Sequence, residues 1–213
     1  TFTALEVQAD NGVSVTKDVT TTQGSLYFDA DMDNSADANN QVGITGPRTM
    51  TSKAVMTLES TTGSTTGSLF IVPTGALTLF AGMGVVVHNA MTGAQSSKAL
   101  VVDADYESHG DGTFTVITGK LIDSNDSDVT LTAWDLDLAG TLSSGTATIS
   151  IHGSKVAQTI GLGATAKDMH IADGELGSIT SAGGVLIGGS DDANIIVDGV
   201  TLTGSTNMGP VVT

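Results

Sequence analysis

A short alternating pattern recurs along this chain of 213 residues and constrains its fold more than any other feature of the sequence. In each copy, two large apolar residues and then an alanine occupy every second position. The clear copies are ALEVQAD at 4–10, SLYFDAD at 25–31, ALTLFAG at 76–82, ALVVDAD at 99–105 and DVTLTAW at 128–134. Looser copies begin at 53 and 146, so successive copies start 18 to 29 residues apart. A repeat with this period predicts a chain laid down as stacked coils.

The alternation within each copy predicts a β-strand with one buried face. Leu5, Val7 and Ala9 would lie on one side of the strand, and the polar residues between them on the other. The alanine that ends most copies indicates an interior that narrows towards a corner. Turn-forming residues such as Asn11-Gly12 then follow.

One such coil cannot bury a core by itself, but coils stacked about 4.8 Å apart can pair their backbones around a continuous apolar column. We therefore predict an all-β fold, a right-handed parallel β-helix or β-solenoid of about nine or ten turns. With 27 glycines, three prolines and 4% aromatic residues, the chain offers no long helix-forming stretch. The segment 91–99 is predicted to be a loop.

The copies at 4, 25 and 53 each resemble a copy 72 to 75 residues further on, which suggests a super-repeat of about 74 residues. We interpret residues 1–213 as a single solenoid segment with uncapped ends, belonging to a longer or self-assembling protein.

The chain carries seven basic and 23 acidic residues, a formal charge of −16. This charge disfavours nucleic acid and anionic membranes as partners. Cysteine is absent, which excludes disulfides and thiolate metal sites. No apolar run approaches the roughly 20 residues of a membrane-spanning helix, so we predict no membrane insertion.

Two acidic loops are candidate Ca²⁺ sites because they place hard oxygen ligands at alternate positions. The first, at 29–40, lacks the EF-hand pattern, since Asn34 and Asn40 stand where that motif needs Gly and Glu. The second, at 103–111, has a similar sequence and also contains Glu107, His109 and Asp111. The pattern places these acids at outward strand positions or in corners, so that the two loops could line one edge of the rod; a solvated acidic loop is the alternative. The candidate metal ligands are Asp29, Asp31, Asp33, Asp37, Asp103 and Asp105.

Polysaccharide lyases and hydrolases also use β-helices, so a polysaccharide-acting enzyme is an alternative. Those reactions need a basic residue beside the substrate or a close pair of carboxylates. The chain has one arginine, Arg48, six scattered lysines and four histidines without metal-ligand spacing. We predict that it is not an enzyme.

Trp134 follows an inward alanine and is predicted to face outward, most simply beneath a loop.

The C-terminal 85 residues carry a family resemblance. Gly161-Leu162-Gly163, IADGELGSIT at 171–180 and Gly183 to Gly188 are similar to coils of large secreted proteins of the filamentous-haemagglutinin type, as is the stretch 128–152. The resemblance implies a right-handed β-helical shaft at the cell surface that adheres or builds fibres. It implies no functional residues, because in that family the shaft is the working part.

These observations favour a structural extracellular protein, the shaft of a surface filament, sheath or adhesin. Its partners would be copies of itself or adjoining solenoid segments. The alternative is a β-helix module that binds carbohydrate or another surface in a Ca²⁺-dependent manner.

Overall fold

Short β-strands make up most of the regular structure, and they follow one another in groups of three. The computed structural model describes residues 1–35, 37–60, 71–209 and 211–212. Up to residue 153, each group of three strands makes one turn. These strands are β1 (Leu5–Gln8), β2 (Val13–Val15), β3 (Val19–Thr20), β4 (Leu26–Asp29), β5 (Val42–Ile44), β6 (Arg48–Ser52), β7 (Met56–Glu59), β8 (Ile71–Pro73), β9 (Leu77–Ala81), β10 (Val85–Val87), β11 (Met91–Thr92), β12 (Leu100–Asp103), β13 (Thr113–Val116), β14 (Leu121–Asp123), β15 (Val129–Ala133), β16 (Asp135–Leu138), β17 (Thr141–Ser143) and β18 (Ile149–Gly153).

Equivalent strands of successive turns pair in parallel and form three long sheets. The first sheet has the order β1-β4-β7-β10-β13-β16. The second runs β2-β5-β8-β11-β14-β17 and ends on β21 (Ile179–Thr180). The third runs β3-β6-β9-β12-β15-β18 and continues to β22 (Val185–Ile187) and β24 (Val211–Val212). The chain is therefore a right-handed parallel β-helix, which confirms the fold predicted from the alternating repeat.

A continuous apolar column runs between the three sheets. In the first sheet Leu26, Met56 and Val85 are paired one above the other and are fully buried. The inward residues of the other two sheets repeat this arrangement. The alanines at the strand ends face the column as predicted, and four of them are fully buried: Ala30, Ala81, Ala104 and Ala133. A small side chain at these positions lets the backbone turn where the column narrows.

The alternating copies do not all belong to one face of the helix. Those at 4, 25 and 53 form β1, β4 and β7 in the first sheet, whereas those at 76, 99, 128 and 146 form β9, β12, β15 and β18 in the third. The spacing of about 74 residues therefore leads from the first sheet to the third. It does not return the chain to the same face of the helix.

The helix also has fewer turns than predicted. Paired residues of the first sheet lie 21 to 30 positions apart along the chain, as for Leu5 with Leu26 and Leu26 with Met56. Within the described residues the longest sheet has eight strands, not the nine or ten turns expected. The estimate was too high because the step from 53 to 76 passes between two sheets and is not a full turn.

After β18 the chain departs from the regular three-strand turn. A small sheet with the order β20-β19-β23 is formed by β19 (Ile160–Gly163), β20 (Met169–Ile171) and β23 (Ile195–Asp198). Two short helices accompany it, α1 (Asp173–Gly177) and α2 (Leu202–Ser205). They were not predicted, and α1 lies within the stretch 171–180 that we compared with a solenoid coil.

Glu175 explains why α1 forms at this position. Its Oε2 accepts a hydrogen bond from the backbone N–H of Ala172 at 2.8 Å, and its Oε1 accepts one from the N–H of Leu138 at 3.0 Å. The first of these bonds satisfies a free donor at the helix start. The second ties the helix to the preceding turn.

Aspartate–threonine hydrogen bonds connect successive turns at the corners. Asp128 Oδ1 accepts from both the backbone N–H and the hydroxyl of Thr148, at 3.1 and 2.8 Å. Asp126 binds Thr146 in the same way at 2.8 and 2.9 Å. We call each such pair an Asp–Thr clamp. The backbone and side-chain donors of the threonines lower the pKa of Asp126 and Asp128, because they stabilise the ionised carboxylate.

The first turn leaves one end of the apolar column open. A depression of about 360 Å³ lies at this end, and it is lined mainly by apolar side chains of the first turn together with Phe28. Strands β1, β2 and β3 are the edge strands of the three sheets here.

In the part of the chain that the structure describes, no helix has the length and apolar character needed to cross a bilayer.

Candidate functional site

Two acidic corners follow strands of similar sequence, and both contain a buried aspartate. The Asp31 corner comprises the described residues 29–35 and 37–41, between β4 and β5. The Asp105 corner comprises residues 103–112, between β12 and β13. In each, the aspartate that ends the strand accepts a hydrogen bond from the N–H two residues later. The N–H of Asp31 donates to Asp29 Oδ1 at 3.0 Å, and the N–H of Asp105 donates to Asp103 Oδ1 at 3.2 Å. The local turn is therefore the same in both corners.

The carboxylate of Asp31 is buried without a hydrogen-bond partner. Its side chain has no exposed surface, and neither Oδ1 nor Oδ2 has a donor in hydrogen-bonding geometry. The side-chain Oδ1 of Asn40, which is 3% exposed, is buried and unpartnered as well. Three buried oxygen acceptors in one corner are a costly arrangement, since buried polar groups are almost always paired.

Donors in the described residues of this loop bind groups other than the Asp31 carboxylate. Asn34 adopts the left-handed conformation at φ 53°, and its N–H binds the main-chain carbonyl of Asp31 at 3.1 Å. The N–H of Ser35 binds the carboxylate of Asp33 at 3.0 Å. The Asn40 side-chain amide donates to the Ser35 carbonyl at 2.6 Å. The loop therefore closes around Asp31 without donating to its carboxylate.

Negative charge around Asp31 adds to the effect of burial. Desolvation is the main reason that the pKa of Asp31 is raised, and the charges of Asp33, Asp29 and Asp37 raise it further. The side-chain amide of Asn40 lies close enough to the carboxylate to lower this pKa in part, although it is not in hydrogen-bonding geometry with either oxygen. In the absence of a compensating cation, the ionised form of Asp31 is disfavoured in the folded protein.

A polar row on the outer face of the first sheet borders this corner. The hydroxyl of Tyr27 donates to Glu59 Oε2 at 2.8 Å and lies 3.5 Å from Asp29 Oδ2. His88 Nδ1 lies 3.5 Å from the same Glu59 oxygen. Burial, followed by the hydrogen bond to Glu59, raises the pKa of Tyr27, so the phenol stays protonated.

Behind the corner, polar residues of the next turns continue into the interior. The N–H of Ser60 binds Asn89 Oδ1 at 3.0 Å, and its hydroxyl donates to the main-chain carbonyl of Asn40 at 2.9 Å. All three residues are buried. Our sequence analysis missed Ser60 and Asn89. The available signal concerned Ser60 alone, a polar residue directly after the alternating copy at 53–59.

Asp105, in contrast, has a full set of donors. Its Oδ1 accepts from the N–H of His109 at 3.2 Å, and its Oδ2 accepts from the N–H of Gly110 at 2.9 Å and from the hydroxyl of Ser154 at 2.6 Å. The residue is fully buried. Ser154 lies 49 positions away in the chain, and sequence reasoning did not connect it with Asp105. This corner is a satisfied structural anchor.

The structure corrects two expectations about the six candidate ligands. Asp29, Asp31 and Asp105 are buried, although we expected the acids to face outward, because the backbone bends at the end of each strand and brings these side chains into the corner. Asp33 and Asp37 are exposed on the first loop, and Asp103 is half-buried, with its pKa raised by burial. The two corners also lie at the ends of different sheets, so they do not line one edge of the rod as expected.

The other candidate residues lie apart from one another. Each histidine has its own neighbours; for example, His170 Nε2 lies 2.8 Å from the Gly163 carbonyl and His152 Nδ1 lies 3.1 Å from the Gly188 carbonyl. Within residues 1–35, 37–60 and 71–209, no three His, Asp or Glu side chains converge in the manner of a metal site. Trp134 packs against Gly110 of the Asp105 corner, beneath a loop as predicted, with Lys155 Nζ 5.9 Å from the ring centroid.

A shallow groove crosses the outer face of the second sheet next to the Asp31 corner. It has a volume of about 340 Å³, and Gly43 lies in it between Ser14 and Val72 of the neighbouring strands. Three amide side chains contribute to its lining: Asn11, Asn39 and Gln41. Asn39 and Gln41 belong to the same loop that encloses Asp31, so the loop links the groove to the buried carboxylate.

Comparisons with known proteins identify no relative of this chain. No family model matches it, and neither a curated protein nor a solved structure is similar to it. The resemblance to filamentous-haemagglutinin-type proteins therefore stays a prediction.

Proposed function

We propose that this chain is a structural segment, the shaft of an extracellular filament, sheath or adhesin. The observation that carries the proposal is the unbroken apolar column inside three parallel sheets, since such a rod gains stability turn by turn and can be extended without a larger core. On this view the function of the molecule resides in its length and stiffness.

Side-chain bonds at the corners support a mechanical role for the rod. Asp–Thr clamps add side-chain bonds between turns to the backbone ladder, as between Asp128 and Thr148. Others join Asp173 to Thr201, with hydrogen bonds of 2.8 and 2.7 Å. Such bonds resist both sliding and separation of neighbouring turns, which is the property that a shaft requires.

The open end of the column supports a partner of the same kind. Its apolar lining and three parallel edge strands fit another solenoid turn, which would continue the sheets and cover the depression. We propose that copies of this chain or adjoining solenoid segments stack at this end. The formal charge of −16 opposes stacking at low ionic strength, so assembly should strengthen as salt is added.

Electron microscopy and fibre diffraction test this proposal. The purified chain should form rods that lengthen as the protein and salt concentrations rise, with an axial repeat of about 4.8 Å. Replacing apolar Val7 at the open end by Asp should block lengthening, whereas replacing exposed Thr22 by Asp should not. Particles that stay short at every concentration would contradict end-to-end assembly.

A second candidate function is the binding of carbohydrate on the outer face of the second sheet. The groove beside Gly43 offers amide groups from Asn11, Asn39 and Gln41, which suit sugar hydroxyls. A glycan array probed with and without CaCl₂ tests it. Binding that is lost on replacing Gln41 by Ala would support this function, and an empty array in both conditions would argue against it.

A further inference from the structure

We propose that the Asp31 corner binds a calcium ion, held by the buried carboxylate of Asp31 and the side-chain oxygen of Asn40. This inference is independent of the proposed shaft function, because a rod could assemble with or without a bound cation.

The unpartnered oxygens are the principal observation. Both carboxylate oxygens of Asp31 and the Oδ1 of Asn40 are buried and accept no hydrogen bond. An arrangement of acceptors without donors is what a hard cation satisfies, since Ca²⁺ binds carboxylate and amide oxygens and accepts a carboxylate through one or both oxygens. The amide group of Asn40 donates one hydrogen bond, to the Ser35 carbonyl, and no donor reaches its side-chain oxygen.

The electrostatic surroundings favour a cation over a neutral partner. Asp29, Asp33 and Asp37 all act on Asp31 with the same sign of charge. The carboxylate of Asp29 is held beside the site, because this residue is only 8% exposed and its Oδ1 accepts the N–H of Asp31. A divalent ion would offset this accumulated charge. A water molecule could supply hydrogen bonds but no positive charge.

The ligand set differs from a cluster of carboxylates. Because no three acidic or histidine side chains of the described residues converge, the site has one inner carboxylate, one amide oxygen, and main-chain or water oxygens for the remaining positions. A site with so few charged ligands belongs to the weaker extracellular class, with a dissociation constant on the order of 10⁻⁴ to 10⁻³ M.

The Asp105 corner supplies a matched control. It contains an equally buried aspartate after the same turn, but N–H and hydroxyl donors occupy both of its oxygens. The same chemistry therefore predicts no calcium at Asp105.

Thermal unfolding with and without calcium tests the proposal. The full chain is treated with EDTA, and its melting temperature is measured with millimolar CaCl₂, MgCl₂ or NaCl at constant ionic strength. Calcium should raise the melting temperature of the natural protein and of Asp105→Asn, but leave that of Asp31→Asn unchanged. Equal stabilisation by all three salts would contradict a calcium site at Asp31. A calcium-induced rise in the melting temperature of Asp31→Asn as large as that of the natural protein would contradict it as well.

Terbium luminescence locates the ion without disturbing a ligand. The chain has two tyrosines, Tyr27 beside the Asp31 corner and Tyr106 in the Asp105 corner, and its only tryptophan, Trp134, packs against the latter. Tb³⁺ bound at Asp31 should emit on excitation of tyrosine, calcium should displace it, and Tyr27→Phe should lower the emission at least several-fold. Emission that persists in Tyr27→Phe and disappears in Tyr106→Phe or Trp134→Phe would refute the assignment, as would no emission in the natural protein.

Discussion

The Asp31 and Asp105 corners begin in the same way and end differently. Both follow an alternating strand that closes with Asp-Ala-Asp, and both form the same side-chain turn. In the Asp105 corner, Ser108 at φ 57° and Gly110 at φ 86° turn the loop back, and the N–H groups of His109 and Gly110 meet the carboxylate. In the Asp31 corner Asn34 is the only left-handed residue among the described residues 29–35 and 37–41, and it directs its N–H to a carbonyl instead.

Burial of an aspartate therefore does not by itself reveal its role. A buried carboxylate with three donors holds a loop in place, whereas one with none is a source of instability until a partner arrives. The two corners can therefore be separated by experiments that remove each carboxylate in turn.

The largest effect is expected at Asp105. Replacing it by Asn removes the charge and places an amide group against N–H donors, so the free energy of unfolding should fall by about 2 to 4 kcal/mol. Urea unfolding of the EDTA-treated protein measures this change. A loss below about 1 kcal/mol would mean that the three hydrogen bonds contribute little and that the two corners are energetically alike.

At Asp31 the same substitution should change the free energy of unfolding in the opposite direction. In EDTA, Asp31→Asn removes an uncompensated buried charge, so the free energy of unfolding should rise by about 1 to 2 kcal/mol. Urea unfolding measured beside Asp105→Asn gives the comparison directly. Destabilisation of Asp31→Asn in EDTA would show that the carboxylate already has a partner in the folded chain.

A smaller loss is expected when one long-range donor is removed from the satisfied corner. Ser154→Ala deletes the hydroxyl that donates to Asp105 Oδ2 at 2.6 Å, which should lower the free energy of unfolding by about 1 kcal/mol. The matched control is Ser35→Ala on the exposed Asp31 loop, where a change within about 0.5 kcal/mol is expected. Equal effects at the two serines would remove this distinction between the corners.

The smallest change in stability is expected at the exposed Asp–Thr clamps, because their carboxylates have donors but are not buried. The pKa values of Asp126 and Asp128 are lowered in the folded protein, so their contribution is present above the unfolded value of about 3.9 and is lost as pH falls through the folded value. The double variant Asp126→Asn, Asp128→Asn should therefore lose less stability than the natural protein between neutral pH and about pH 3.

Urea midpoints at the two pH values measure this difference. The control is Asp111→Asn with Asp137→Asn, which removes the same charge from two exposed aspartates that clamp no threonine in the described part of the chain. An identical response of the two double variants would assign the effect to net charge and not to the clamps.

Much of the scaffold was predictable, because strand alternation is a local signal. Leu26, Met56 and Leu77 were each recognised as inward residues from their neighbours alone, and each is buried. The assignment of copies to faces was not predictable, since an alternating strand in the first sheet has the same pattern as one in the third. The helix α1 was missed because its stability depends on Glu175 reaching Leu138, a contact between turns.

The candidate site was predictable as a location but not as a chemical state. The Asp-Ala-Asp pattern drew attention to both corners, although it indicated exposed ligands in each. Nothing in the pattern shows that Ser154 completes one corner, or that Asn40 leaves its oxygen buried beside the other.

The parallel β-helix follows from the amino-acid sequence, because the period of two within strands and the glycine-rich corners between them are properties of neighbouring residues. Which buried carboxylate is satisfied depends on the three-dimensional fold, because the orientation of the hydrogen-bond donors is set by loop dihedral angles and by residues several turns away. Small angular differences in a loop decide where an N–H points, and they leave almost no trace in composition or periodicity.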